Sequence, residues 1–169
     1  MTGTNTSKAS AWAEALLAGE DAMNIRKLTE SQKPTAMELA WRVFQEFEAP
    51  DYAPEGVRAF HDYITDPAAV KALTVYGAFE GERIIGVLAI RPGGTHISLF
   101  FVDTGYHRQG VGTALMRRFF TDSGAETITV HSSPYAVEVY RRLGFQPTAA
   151  EQLTDGIRYI PMEHRRNQK

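Results

Sequence analysis

The residues best suited to chemistry lie in one segment, YHRQGVGTA at 106–114, where two glycines precede an apolar helical pattern. The first turn of a helix leaves backbone N–H groups unpaired and carries a partial positive charge, so it attracts anions. Gly110 and Gly112 lack the β-carbons that would keep phosphate oxygens away from those N–H groups. Arg108 would add charge and Thr113 a hydroxyl donor. The segment therefore predicts a turn that binds a diphosphate.

Other phosphate motifs fit this segment less well. A dinucleotide fingerprint needs a third glycine, and Leu115 stands at that position. A P-loop needs Gly-Lys-Ser/Thr, which the sequence lacks. A purely structural corner between a strand and a helix also fits Gly-x-Gly taken alone. The position after three consecutive strands favours the binding interpretation.

Composition restricts the classes of function. The 169 residues suit one domain, and a net charge of -2 offers no electrostatic case for nucleic acid or a membrane surface. No apolar stretch approaches the ~18 residues of a membrane span, so we expect a cytoplasmic protein. The absence of cysteine excludes disulfides and a cysteinyl acyl-enzyme. Neither His61 nor His107 has a neighbour at metal-ligand spacing, so we expect no metal.

The elements that position the turn follow from hydrophobic periodicity. Residues 1–22 form an extension in which 10–18 fit a short helix, 23–163 form the domain, and 164–169 form a basic tail. Thr35 follows Pro34 as a helix start, and His96, Ser98 and Phe100 share one face of a strand. The pattern predicts an α/β (α+β) fold, with a mixed central sheet of about seven strands flanked by about four helices. The predicted strands are 24–29, 74–79, 84–90, 96–102, 127–131, 146–150 and 157–162.

Two sequence blocks resemble the GNAT superfamily of acetyl-CoA-dependent N-acetyltransferases. The first is its signature Arg/Gln-x-x-Gly-x-Gly/Ala, which His107 to Gly112 matches except that histidine replaces the first residue. The second is Asn-x-x-Ala-x-x-x-Tyr-x-x-x-Gly-Phe, matched by 133–145 with Ser133 in place of asparagine and Tyr140 at the tyrosine position. The resemblance spans residues 23 to 163.

The resemblance implies acetyl-CoA as co-substrate and direct transfer to a primary amine in a ternary complex. It implies that the backbone near Phe101 and Val102 pairs with the pantetheine amides. It also implies that Tyr140 is the general acid for the departing thiolate, although a tyrosine on this inward helix stripe also fits a core role. The implied cofactor-binding residues are Phe101, Val102, His107, Arg108, Gln109, Gly110, Val111, Gly112, Thr113, Ser133 and Tyr140.

The residue that removes the proton from the amine is open. His96 is our predicted catalytic base, because histidine titrates near pH 6.5, although a histidine at a strand start can also have no role. His131 is a second candidate. The acids Glu46, Glu48 and Asp51 follow the first helix and could face a cationic acceptor, or could simply be solvated.

Several functional alternatives remain at this level. The acyl donor could carry a longer chain, or the chain could be a CoA-binding sensor or interaction domain without catalysis. A nucleotide-binding module is a third alternative. The acceptor, a small molecule or a peptide, is not encoded in a readable motif. Homodimers are common in the family that the sequence resembles.

Overall fold

The computed structural model describes residues 24–166. The predicted extension 1–22, with its short helix at 10–18, lies outside the described residues. So do positions 167–169 of the predicted tail.

One sheet organises the domain. Its order is β1-β2-β3-β4-β5-β8-β6, and β7 pairs with β8 outside that path. All neighbours are antiparallel except β4 and β5, which are parallel. The strands are β1 (Asn24–Lys27), β2 (Thr74–Glu80), β3 (Arg83–Ile90), β4 (His96–Val102), β5 (Thr127–Ser132), β6 (Gln146–Pro147), β7 (Gln152–Thr154) and β8 (Ile157–Arg165).

Helices cover both faces of the sheet. One hydrophobic cluster contains Phe44 and Ile64 from the first two helices, and a second contains Leu115 and Tyr140 from the last two. The helices are α1 (Lys33–Phe47), α2 (Pro54–Thr65), α3 (Pro67–Ala72), α4 (Val111–Asp122) and α5 (Val137–Arg142). The predicted α/β class with a mixed sheet between helical layers is confirmed.

The element count differs slightly from the prediction. Residues 24–166 contain eight strands and five α-helices, where we predicted about seven and about four. The additional helix α3 is separate from α2 because Asp66 is extended and its side chain accepts a hydrogen bond from Ala68 N–H, with Pro67 at the first helical position. The predicted strand at 146–150 is reduced to the two residues of β6, and β7 is a strand that we did not predict.

Helix α1 and strand β8 both extend beyond their predicted bounds. Helix α1 begins at Lys33, two residues before Thr35, because Pro34 occupies its first turn. Strand β8 continues to Arg165, past the predicted domain limit at 163. The ring of His164 packs against Phe120, and Arg166 donates to the Ser123 carbonyl at 2.6 Å, so these residues belong to the folded domain.

A β-bulge in β4 changes which face its residues occupy. Ala89 pairs with Leu99 and Ile90 pairs with Ile97, so Ser98 is an extra residue. Phe100 consequently packs on the α4 side, whereas Ser98 hydrogen-bonds Tyr63 of α2 at 2.6 Å. The prediction that His96, Ser98 and Phe100 share one face is therefore wrong.

Candidate active site

The sheet is split between its two parallel strands. Strands β4 and β5 pair only where His96 faces Thr129 and Ile97 faces Val130. Both strands continue for several residues beyond these pairs, to Val102 and to Ser132. Their carboxyl ends therefore diverge and leave a cleft within the sheet.

One edge of β4 faces this cleft. Asp103 N–H donates to the Ile85 carbonyl at 2.8 Å, so Asp103 faces β3. Since the backbone groups alternate between edges, Phe101 also faces β3, and Phe100 and Val102 face the cleft. The predicted backbone role of Phe101 is thus wrong, and Phe100 takes its place on the free edge.

The predicted phosphate turn has the expected helix start. Gly110 adopts a left-handed φ of 84° as the N-cap of α4, and the first helical hydrogen bond runs from Ala114 N–H to the Gly110 carbonyl. The N–H groups of Val111, Gly112 and Thr113 therefore lack helical acceptors and are available to an anion. A β-carbon at residue 112 would lie 3.0 Å from the Phe100 ring, so glycine also allows the helix to approach β4.

The side chains of the turn contribute less than the backbone. His107 Nε2 donates to the Val102 carbonyl at 2.7 Å, which directs the imidazole toward β4. Gln109 donates to the Gly105 carbonyl at 3.1 Å, and the Val111 side chain is buried. Arg108 is exposed at a left-handed φ of 64°. These arrangements favour an anion bound by main-chain N–H groups, with Arg108 as the nearby cation.

A cavity of about 400 Å³ extends from the cleft beneath α1 and α2. Its walls combine aromatic side chains with a few polar groups, and they include the predicted residues Phe101, Ser133 and Tyr140. The cavity is closed on a further side by the β7–β8 hairpin, which contributes Asp155 and Tyr159. This is the space in which an acceptor could meet the cleft.

Tyr140 lies in the wall where the cavity meets the cleft. Its residue is 5% exposed, its ring contacts Phe100 at 5.7 Å between centroids, and within residues 24–166 its hydroxyl has no hydrogen-bond partner. Burial, followed by the negative charge of Glu48, raises the pKa of the Tyr140 phenol above its ordinary range. The phenol therefore keeps its proton in the resting protein.

Of the three acids predicted between the first two helices, Glu48 lines the cavity, and Glu46 and Asp51 do not. Burial raises the pKa of its carboxyl to about 7, and a hydrogen bond with Ser133 offsets part of that rise. Glu46 instead accepts from Thr104 at 2.8 Å on the surface. The sequence contains no signal that separates Glu48 from its neighbours, because the distinction depends on contact with Ser133 after β5.

The predicted base His96 lies outside the cavity lining. Its Nδ1 is 2.8 Å from Thr129 Oγ1, and its ring contacts His131 at 4.7 Å. Burial, then the charge of Arg91, lowers the pKa of His96 to about 4. His131 does line the cavity, where its ring stacks on Tyr159 at 4.3 Å. Of the two predicted catalytic residues, the structure brings only Tyr140 into the cavity.

Comparison with known families agrees with this architecture. Residues 48–166 match the family model described as the acetyltransferase (GNAT) domain. The chain belongs to the GNAT acetyltransferase family, which confirms the resemblance of the two sequence blocks. It is therefore a GNAT-type N-acetyltransferase.

Solved structures of this family have the same fold. The GCN5-related N-acetyltransferase of Rhodopseudomonas palustris matches with a TM-score of 0.73 at 20% identity, over 84% of this chain and 94% of that chain. The PaiA N-acetyltransferase of Thermoplasma acidophilum, in complex with coenzyme A, matches with a TM-score of 0.65 at 18% identity, over 85% and 98%. AAC(6')-Ib in complex with ribostamycin and coenzyme A matches with a TM-score of 0.58 at 19% identity, over 86% and 94%.

Other comparisons and searches were negative. No curated protein matches the chain in sequence. Within residues 24–166, no group of three or more His, Asp or Glu side chains is arranged to hold a metal ion. None of the helices described here has both the length and the apolar character needed to cross a membrane.

Proposed function

We propose that this enzyme transfers an acetyl group from acetyl-CoA directly to a primary amine, with Glu48 as general base and Tyr140 as general acid. The observation that carries the proposal is that both side chains meet one cavity where β4 and β5 separate. A carboxyl with a pKa of about 7 and a protonated phenol form a complementary pair for the two proton transfers.

Acetyl-CoA fits the groups that the fold leaves unpaired. The diphosphate meets the N–H groups of Val111, Gly112 and Thr113, and Arg108 supplies a nearby positive charge. The pantetheine arm follows the free edge of β4 at Phe100 and Val102, where strand-like pairing satisfies its amides. This path directs the thioester toward Tyr140.

The reaction then moves protons at both the amine and the departing thiol. Glu48 takes a proton from the ammonium, and the neutral amine attacks the thioester carbonyl carbon to form a C–N bond. When the tetrahedral intermediate collapses, the C–S bond breaks and the thiolate takes the proton of Tyr140, while the second proton on the attacking nitrogen passes to the Tyr140 oxygen and restores the phenol. Glu48 replaces His96 as the base because His96 is outside the cavity lining and pairs with Thr129.

Binding of acetyl-CoA tests the first half of the proposal. In calorimetry the parent protein should bind acetyl-CoA, and Gly112→Glu should abolish binding, because the new carboxylate occupies the anion site and crowds Phe100. Gly124→Glu is the matched control, since the position is exposed and a β-carbon there meets nothing within 4 Å. Failure of the parent protein to bind would contradict the proposal.

Turnover measurements test the proposed role of Tyr140 as the general acid. Tyr140→Phe should reduce thiol release in the presence of an amine by about 10- to 100-fold, while acetyl-CoA affinity stays nearly unchanged. Unchanged turnover would return Tyr140 to a core role. Binding without any amine-dependent thiol release would support the CoA-sensor alternative, and faster turnover with butyryl-CoA would support a longer acyl donor.

A further inference from the structure

Arg91 is a charged group of the cavity that the proposed mechanism does not use. It follows β3, lies at the exposed rim of the cavity, and is anchored by its backbone N–H, which donates to the His96 carbonyl at 3.0 Å. Its guanidinium has no ion pair or hydrogen bond within residues 24–166. In contrast, Arg158 pairs with Glu151 at 2.7 Å near the same cavity.

In the described part of the chain, no ion pair joins Arg91 to a carboxylate. The charged or titratable neighbours are His96 and His131, whose pKa values are lowered by burial first and by the positive charge of Arg91 second. Both imidazoles are consequently neutral near pH 7, and each can donate only through one ring nitrogen. This end of the cavity is therefore cationic and can donate hydrogen bonds.

The other end of the cavity is acidic. Glu48 lies beside Ser133 and Tyr140 at this end. Arg91 is beside His96, at the start of β4, whereas Tyr140 contacts Phe100 four positions further along that strand. Because the bulge at Ser98 makes these four positions oppose only three steps of β3, from Leu88 to Arg91, the two levels are separated by roughly 10 Å of strand.

Aromatic rings line the space between the two ends. Phe44 and Phe60 stack at 4.0 Å between centroids, and Tyr63 and Tyr159 complete the walls. The Tyr63 hydroxyl is already paired with Ser98 at 2.6 Å, so this part of the wall is chiefly an apolar surface. A flat apolar or aromatic group fits such walls better than a polar chain does.

We infer that the acceptor is a primary amine joined through an apolar or aromatic body to a remote carboxylate, which Arg91 binds at the far end of the cavity. The inference rests on the proposed function, because it assumes that the amine lies at Glu48. Arginine binds carboxylates through two parallel N–H groups, which gives both orientation and affinity. In a free α-amino acid the carboxylate is one carbon from the amine, too close to span the two ends.

A matched pair of probes tests this assignment. 4-(Aminomethyl)benzoate carries the remote carboxylate, and 4-(aminomethyl)benzamide replaces it with a neutral amide of similar shape. With the parent enzyme, kcat/KM should be about tenfold higher for the benzoate, as one charge-assisted hydrogen bond provides. Arg91→Gln should bring the ratio close to one by slowing the benzoate only. Arg58→Gln, which removes an exposed charge from α2 outside the cavity lining, should preserve the ratio.

Several results would overturn the inference. Equal kcat/KM values for both probes in the parent enzyme would do so, and so would a preference that survives Arg91→Gln. If the enzyme acetylates neither probe, calorimetric titration of each probe into the CoA-loaded protein decides: tighter binding of the benzoate that depends on Arg91 supports the inference, and equal binding overturns it. Absence of transfer to any amine would count against the proposed function instead, so the two failures are distinguishable.

Discussion

Helix α1 has a charged residue at each end, and the protein stabilises these two charges to different extents. Lys33 is the first residue of the helix and is 4% exposed, whereas Glu48 immediately follows its last residue and lines the cavity. Each charge loses contact with water, Lys33 nearly all of it and Glu48, which is half-buried, a part of it. They differ in how many protein groups replace the hydrogen bonds of that water. A fully bonded charge stabilises the fold, whereas a poorly bonded one can exchange a proton with a substrate.

Lys33 is almost completely satisfied. Its Nζ donates to the carbonyls of Val70, Lys71 and Leu73 at 3.3, 3.2 and 2.7 Å, and it lies 2.8 Å from Glu30. These carbonyls terminate α3, where a cation also complements the negative end of the helix. The ammonium therefore fixes α3 against α1 and is not available for a reaction.

Glu48 is poorly satisfied. Within residues 24–166 the Ser133 hydroxyl is the one group that lowers the pKa of Glu48, and burial still raises that pKa to about 7. The Ser133 hydroxyl oxygen also accepts from Ala136 N–H at 3.2 Å, so it is shared between two tasks. An incompletely solvated carboxylate gains free energy by taking a proton, which is the property that a general base near neutral pH requires.

The largest expected effect is the loss of activity when the Glu48 carboxylate is removed. Glu48→Gln should lower kcat/KM by about 10²- to 10⁴-fold, because the amine would lose its proton acceptor while the side-chain shape is retained. Steady-state thiol release with saturating acetyl-CoA measures this change. Glu46→Gln is the control, since Glu46 is exposed and bonded to Thr104. A loss of less than threefold in the Glu48 variant would exclude the carboxylate as the base.

The next largest effect is the loss of stability when the Lys33 ammonium is removed. Lys33→Met should reduce the free energy of unfolding by about 3 kcal/mol, because buried carbonyls at the end of α3 would lose their donor. Urea denaturation followed by circular dichroism measures it, and Lys71→Met provides a control at an exposed lysine of α3. The activity of the folded fraction should be unchanged. Stability within 1 kcal/mol of the parent value would contradict the structural role of Lys33.

The pH dependence of stability sharpens the comparison. The pKa of Glu48 is 4.5 in the unfolded chain and about 7 in the folded one, so between these values the folded state holds a proton that the unfolded state releases. Stability should therefore fall as pH rises through this window, by about 2 kcal/mol in total when partial exposure is allowed for. Glu48→Gln should be more stable than the parent at pH 8, and the difference should shrink at pH 5. Parallel stability curves for the two proteins would contradict a raised pKa.

The smallest effect concerns the partner of Lys33. Glu30 is 65% exposed at its side chain, so Glu30→Gln should cost about 0.5 kcal/mol or less, since water screens this ion pair. Urea midpoints at low and high salt measure the change. A loss as large as that of Lys33→Met would mean that the ion pair, and not the three carbonyls, stabilises the lysine.

Regular elements and the phosphate turn could be predicted because their determinants are local. Glycines at 110 and 112 before an apolar helix indicate an anion-binding helix start, and Tyr140 was identified by its spacing to Gly144 and Phe145. The nearly continuous apolar run of β3 and the alternating apolar residues of β5 likewise indicate strands from sequence alone.

The remaining features depend on contacts between distant segments. The bulge at Ser98 reflects the pairing of β4 with β3, and it moves Phe100 to the face opposite Ser98. Glu48 and Lys33 appear as ordinary charged residues at the ends of a helix. Their difference arises from Ser133 on one side and α3 on the other, which no periodicity in α1 encodes.

A contact between two glycines fixes the position of one wall of the cavity. A β-carbon on Gly56 would lie 2.2 Å from the Gly156 carbonyl oxygen, so the start of α2 and the β7–β8 turn touch through their backbones. Repacking of side chains cannot alter a spacing that main-chain atoms set. A single substitution at either glycine would displace the whole hairpin that carries Asp155 and Tyr159. A substitution at this contact can therefore reshape one wall of the cavity without any change in the residues of the phosphate turn.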